Sequence, residues 1–296
     1  MTKKLINTRT SQQYPQLEIR KYSKHVFFDN LWDTDPQLLE SRGHVYTTDG
    51  RRVVNTFTKI FNYMERGTTI DPEHDVLCVR KVNGFMASAT YVAELEELII
   101  ATSGSFDGEY VDMAKEYLMN DEVKHTVRIH PQFTFIFEIV HPSNPHIIVE
   151  EHGAYLIGIR SIASEDAYHS SPGWERIMDK EATRMKVKRP EWYTSTFKEV
   201  VEQSKVVQHE GFVVYDISSE STQALKIKSP FYLTNKAAAR IKDIETLLKS
   251  RVDEEYYPLI DYLKAHHETF NILDEQSRLV FIQEFLSSNT YNSLRG

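Results

Sequence analysis

Short apolar or alternating runs recur along the first four-fifths of the chain, at Val76–Val79, Leu98–Ala101, Phe133–Val140, Tyr155–Ile159 and Phe212–Tyr215. Runs of this length and pattern predict strands. Tyr110–Leu118 and Trp192–Gln203 carry helical spacing. After Asn235 the texture changes. Ile241, Ile244, Leu248 and Val252 repeat at helical intervals, as do Tyr256, Leu259, Ile260 and Leu263, then Leu279, Ile282 and Leu286. The expected organisation is a mixed α and β domain over 1–235 and a helical C-terminal domain over 236–296.

Composition narrows the class without naming a chemistry. A chain of 296 residues with 41% hydrophobic content has ample core for a globular fold. No apolar run approaches the roughly 18 residues of a membrane span. The start Met1-Thr-Lys-Lys-Leu lacks a secretory pattern. The single cysteine, Cys78, excludes an intrachain disulfide and a cysteine-cluster metal site. It lies inside an apolar run, which reads as a small buried residue in a reducing cytoplasm. A net charge of −8 argues against a non-specific nucleic-acid coat. Basic residues nonetheless cluster at Lys180–Arg189 and Lys226–Lys242. Each cluster reads equally as a solvated face or as part of a groove.

The informative residues are polar groups set into apolar strands. In D-V-L-C-V-R-K-V-N-G, Lys81 follows a buried-type strand and Gly84 comes three positions later. K-x-x-G has only two fixed letters, so a strand-end lysine is the ordinary alternative. In F-I-F-E-I-V-H-P-S-N-P-H-I-I-V, Glu138 sits amid apolar neighbours. That placement is costly unless the carboxylate is bonded or faces water. In L-K-I-K-S-P-F-Y, alternation puts Lys226 and Lys228 on one face and Leu225 and Ile227 on the other. The two like charges would favour an anion between them, or an exposed edge strand. Glu210-Gly211 opens another strand, while Arg42 in E-S-R-G and Lys59 in K-I-F-N would not stand out alone.

These pieces fit one chemistry together, attack of a lysine amine on the α-phosphate of a nucleotide. It needs a neutral amine, brought from about 10.4 toward 7–8 by burial and neighbouring cations. It also needs cations around the phosphate and carboxylates for Mg²⁺. Lys226 and Lys228 could supply the charge. Arg80, adjacent on the strand, would point to the other face.

The order and spacing resemble the covalent nucleotidyltransferases, specifically the phage-type RNA ligase 1 family, over about residues 25 to 240. K-V-N-G resembles motif I, F-E-I-V-H-P-S-N-P-H-I-I-V motif III and Y-L-I-G-I-R, starting at Tyr155, motif IIIa. E-G-F-V-V resembles motif IV and L-K-I-K-S-P-F-Y motif V, with R-G and K-I-F-N upstream. The resemblance implies an α+β fold. A nucleotidyltransferase domain of antiparallel or mixed sheets with flanking helices would carry a small all-helical C-terminal domain. It implies an ATP-dependent RNA ligase acting through lysyl-AMP and AMP-capped RNA, with Mg²⁺, or Mn²⁺ in its place. By position, Lys81 is the nucleophile, Gly84 and Tyr155 line the nucleotide site, and Glu138 contacts the ribose. Glu210 helps hold the metal, and Lys226 and Lys228 contact the α-phosphate. Arg42 and Lys59 grip the outgoing phosphates, and Tyr232 lies beside the site. Asp253 and Glu254 fall near an acidic metal-associated pair, although a solvated acidic turn is the competing account. The implied partners are RNA with 5′-phosphate and 3′-hydroxyl ends, broken tRNA among them, and a separate polynucleotide kinase–phosphatase, in the cytoplasm of a phage-infected cell.

The chain departs from that pattern in places. Asn83 stands where motif I carries an aspartate, Phe85 where a small residue is common, and Ala101 and Ser103 where lysines are expected. Those departures support one alternative, a nucleotide- or RNA-binding protein that kept the fold and lost turnover. DNA ligases and capping enzymes are the other, but their β-barrel tail disagrees with helical periodicity after residue 236.

Overall fold

The computed structural model describes residues 4–10, 12–165, 170–218, 223–240, 254–288 and 290–291. In chain order the first half comprises β1 (Ile6–Arg9), β2 (Leu17–Tyr22), α1 (Lys24–Phe28), α2 (Gln37–Glu40), β3 (Arg42–Thr47), β4 (Arg52–Val54), β5 (Phe61–Asn62), β6 (Asp75–Arg80), β7 (Phe85–Val92), β8 (Glu97–Thr102), α3 (Glu109–Leu118) and α4 (Asp121–Ile129). Then follow β9 (Phe133–Val140), β10 (Gly153–Ser161), α5 (Pro172–Met185), β11 (Trp192–Thr196), α6 (Phe197–Ser204), β12 (Gly211–Asp216), β13 (Ala224–Lys228), α7 (Pro230–Arg240), α8 (Tyr257–Ala265), α9 (His267–Ile272) and α10 (Glu275–Ser287). Every strand expected from an apolar run is present. The architecture is α+β with antiparallel and mixed sheets, and among the described residues only helices and a short turn follow the last strand.

The residues divide into two compact units. Unit 1 holds 1–59, 82–146 and 150–191; unit 2 holds 60–81, 147–149 and 192–296. This is not a division after residue 235. The reason is local: α7 runs through that position, and Tyr232, Leu233 and Ala237 share one buried cluster with Leu259, Leu263, Phe270, Ile282 and Phe285. The expected repeat at Ile241, Ile244, Leu248 and Val252 lies outside the described residues.

Unit 1 contains two sheets, ordered β1-β2-β3-β4 and β10-β9-β7-β8. β9 supplies Phe135, Phe137 and Ile139, all essentially inaccessible, to a core shared with Val111, Leu118, Val127 and Met178. Burial of such side chains contributes roughly 1.5–3 kcal/mol each. That gain outweighs the cost of a single half-buried acid, Glu138, within the same strand. The basic run at 180–189 is largely consumed by pairing inside this unit. Arg189 meets Glu175 and Asp179, Lys186 meets Glu122, and Lys188 meets Glu151.

Unit 2 is built on a five-stranded sheet ordered β11-β6-β12-β13-β5, in which only the β13–β5 pairing is parallel. Residues 192–196, expected to be helical, form β11 instead. The run W-Y-T-S-T is aromatic and β-branched, so it suits a pleated ladder, and it pairs with β6 along its length. Thr196 then starts α6, with a reciprocal cap between its side chain and Glu199. Cys78, Phe212, Val214, Leu225 and Ile227 bury one face of the sheet against Phe197 and Val200 of α6. Burial pushes the Cys78 thiol up to about 12, so it behaves as an inert small core residue.

Candidate functional site

The register of unit 2 decides which side chains share a face. Phe212 opposes Arg80, Val213 opposes Val79 and Lys226, and Gly211 opposes Lys228. Opposed residues point the same way across a ladder. Arg80 therefore goes with Phe212 toward the α6 side. Lys226 and Lys228 share the opposite face. Lys81 continues β6 on that same face, its N–H donating to the Gly211 carbonyl at 2.9 Å. β13 is flanked by β12 and β5, so its lysines do not lie on a solvated edge strand.

On this face Lys81 Nζ meets Glu210 Oε2 at 2.9 Å. The Glu210 side chain is buried, and the glycine after it fixes where it sits. Gly211 has φ +131°, and a Cβ there would fall 2.0 Å from the Ile227 carbonyl oxygen. The Glu-Gly pair thus carries a steric requirement that the sequence alone does not show. Lys228 donates to both carboxylate oxygens of Glu255, at 2.8 and 2.9 Å, and Lys236 reaches the same carboxylate at 3.5 Å. Both amines lie over the Tyr232 ring, 5.9 and 5.8 Å from its centroid. Tyr232 itself is on α7 and buried.

Glu255 and Lys236 do not stand out in the sequence, where the acids expected near a metal are Asp253, which lies outside the described residues, and Glu254, which opens the short turn Glu254–Tyr256. A signal for Lys236 existed in its placement four residues after Tyr232, one helical turn on.

In unit 1, Glu138 Oε1 accepts the Gly84 N–H at 3.1 Å. A Cβ at Gly84 would lie 2.3 Å from the Ile139 carbonyl oxygen, so the motif needs glycine for close backbone approach. Asn83 is buried, and its N–H points to Glu150 Oε1 at 3.4 Å, so a buried carboxylate lies beside the position that lacks one. Tyr155 opposes Glu138 in the β9–β10 register, packs with Val82 and Val140, and donates its hydroxyl to the Glu151 carbonyl.

The two upstream cations occupy different surroundings in unit 1. Arg42 opens β3 before Gly43, whose φ of +100° and 3.0 Å approach to the Ser103 backbone again require glycine. Lys59 is buried with its amine over Trp32 and Phe27, 5.0 and 5.6 Å from the ring centroids. The structure thus gathers Lys81, Glu210, Lys226, Lys228 and Tyr232 in one unit. It gathers Gly84, Glu138 and Tyr155 in the other.

Mg²⁺ ordinarily uses one or two protein carboxylates and completes its shell with phosphates and water. Among the described residues no group of three or more His, Cys, Asp or Glu could hold an ion by itself. Glu210 fits the sparser arrangement, since a buried carboxylate already faces a cation there. No helix of the described residues is long and apolar enough to cross a membrane.

Comparison with known proteins adds the family. The profile of a family described as RNA ligase matches residues 40–237. No curated protein matches the sequence. Among solved structures, an archaeal ATP-dependent RNA ligase is similar in two forms. Form 2 has TM-score 0.54 and 15% identity, over 84% of this chain and 68% of that one. Form 1 has TM-score 0.57 and 15% identity, over 98% and 75%. A putative ATP-dependent DNA ligase from Aquifex aeolicus has TM-score 0.60 and 14% identity, over 98% and 75%. At such identities these likenesses speak to the fold alone.

Proposed function

This chain belongs to the phage-type RNA ligase family and is an RNA ligase, and on that premise we propose a lysyl-AMP route that joins 5′-phosphate to 3′-hydroxyl RNA ends. Lys81 Nζ attacks the α-phosphorus of ATP. A P–N bond forms, the α–β anhydride bond breaks, pyrophosphate leaves, and the amine proton passes to solvent. A 5′-phosphate oxygen of the RNA then displaces lysine, giving AMP-capped RNA. Attack by the 3′-hydroxyl on the RNA phosphorus releases AMP and closes the phosphodiester.

The observation that carries the reading is the shared face of Lys81, Glu210, Lys226 and Lys228, with Lys81 and Glu210 in contact. Attack requires Lys81 to leave the Glu210 ion pair and lose its proton. Glu210 is the residue that would hold Mg²⁺, or Mn²⁺, which when bound neutralises charge on the phosphates. Lys226 and Lys228 supply positive charge at the α-phosphate, Glu138 contacts the ribose with Gly84 and Tyr155 beside it, and Arg42 and Lys59 hold the departing phosphates. Repair of broken RNA, tRNA included, after end-healing by a separate kinase–phosphatase is the role this reading suggests.

Intact-protein mass spectrometry after incubation with ATP and Mg²⁺ tests it. The expected result is a gain of one AMP, lost in Lys81→Ala and absent with GTP. A folded, nucleotide-stripped protein that acquires no adduct would overturn the route.

A further inference from the structure

Unit 1 also holds a cavity of about 670 Å³, lined by Arg9, Lys21, Phe85, Ser103 and Tyr110 among others. The charges in and beside it are arranged against their own interest. Lys21 stands directly opposite Arg42 in the β2–β3 register, and like charges so placed destabilise a ladder. Among the described residues, neither Arg9, Lys21 nor Arg42 forms an ion pair with an acid. Solvent reaches Lys21, yet partial burial and then the charges of Arg9, Arg42 and Lys24 hold its amine below the usual lysine value. The stem of Lys21 runs over Gly104, where a Cβ would come within 2.6 Å of its Cδ, so bare backbone provides the room.

An aromatic surface completes the cavity wall. Phe85 and Tyr110 meet edge to face, with centroids 5.0 Å apart and planes at 86°. Tyr110 is 49% exposed, so much of its aromatic side chain remains open to solvent in the cavity that Arg9 and Lys21 also line. Unpaired cations next to an open aromatic face are the two elements with which proteins hold single-stranded nucleic acid, one for phosphates and one for a base. Single-stranded RNA is recognised by such stacking because its bases can be splayed out.

We propose that this cavity grips a single-stranded stretch of the RNA substrate. Arg9 and Lys21 pair with neighbouring backbone phosphates, Ser103 offers a hydroxyl beside them, and an unpaired base stacks on Tyr110. The proposal rests on the ligase reading and deepens it by naming where the RNA strand is held.

Fluorescence anisotropy of the full chain with a short labelled single-stranded RNA, at several salt concentrations, tests this. The Arg9→Gln/Lys21→Gln double variant should bind at least tenfold more weakly. Its log–log salt slope should flatten by roughly 1.4, since each lost phosphate contact on a single strand accounts for about 0.7. Tyr110→Ala should weaken binding by about five- to a hundredfold. Lys21→Arg, which keeps the charge, should bind as the parent does, separating charge from any loss of fold.

Lysyl-AMP formation from ATP is measured on the same samples. Unchanged RNA affinity in both the double variant and Tyr110→Ala would overturn the proposal, as would a parent that binds no RNA. So would variants that bind RNA normally but fail to form the adduct, because the cavity would then serve the phosphates of ATP. A parent that forms no adduct, with RNA binding still lost in the variants, would sink the lysyl-AMP route and leave the cavity assignment supported.

Discussion

Glu210 holds the Lys81 ammonium at 2.9 Å, with the acid 4% accessible and the lysine side chain 22%. The pair sets the resting arrangement of the proposed nucleophile, because a protonated amine has no lone pair to give. It also sets a buried carboxylate within 2.9 Å of that amine, beside the lysines of β13.

Glu210→Gln keeps the shape and removes the charge. The expected outcome is lysyl-AMP formation slowed by about a hundredfold, the usual scale for one preorganised electrostatic group. Single-turnover kinetics across a Mn²⁺ titration check it. An unaltered rate and metal dependence would remove Glu210 from the proposed metal site.

Gly211→Ala should be among the more damaging single-atom additions in unit 2. Its Cβ would overlap the Ile227 carbonyl oxygen at 2.0 Å, at a positive φ that side chains rarely adopt. Strain of this kind costs on the order of 1–3 kcal/mol before any backbone shift. Urea denaturation should give a lower midpoint. A midpoint equal to that of Gly50→Ala, where a Cβ meets nothing within 4 Å, would contradict the steric account.

Glu255→Gln takes a charged partner from two amines, the half-buried Lys228 and the buried Lys236. Removing one partner of a buried pair typically costs about 3–5 kcal/mol. Combining it with Lys228→Met should give a loss well short of the sum of the singles, because the pair shares one interaction. Additive losses in thermal unfolding would show that the contact contributes little.

His44 makes stability depend on acidity. It is inaccessible, and burial, with Arg160 and Arg52 next in weight, lowers its value from 6.5 to about 3. The unfolded chain therefore binds a proton that the folded chain refuses between those values. Stability from this group is present above pH 6.5 and is lost as pH falls toward about 3. His44→Gln should flatten the fall in denaturant midpoint over that window. A parallel pair of curves would contradict the assignment.

The parts of the fold legible in the sequence were those where one physical demand acted along a run. Phe133–Val140 was readable because apolar residues dominate the run, and Lys226 and Lys228 because period-2 alternation fixes their face. The first strands, β1 to β4, were not, since their apolar positions are few and interrupted by charge. Trp192–Thr196 misled because it runs directly into a true helix. Glu255 was missed in favour of its neighbours, since three adjacent acids look alike until a tertiary partner selects one. Lysines expected at Ala101 and Ser103 are absent, while Lys21 reaches the cavity beside Ser103 from a strand some eighty residues earlier, a proximity that only the tertiary fold produces.

Glu255 belongs to the closing helical segment, yet the amine it holds is on β13. The segment is therefore no interchangeable appendage. A chimera carrying another protein's tail would inherit Lys228 and Lys236 without the Glu255 carboxylate that both amines reach here. Compatibility between the two halves of such a graft would turn on a carboxylate as well as on the apolar faces that meet beside it.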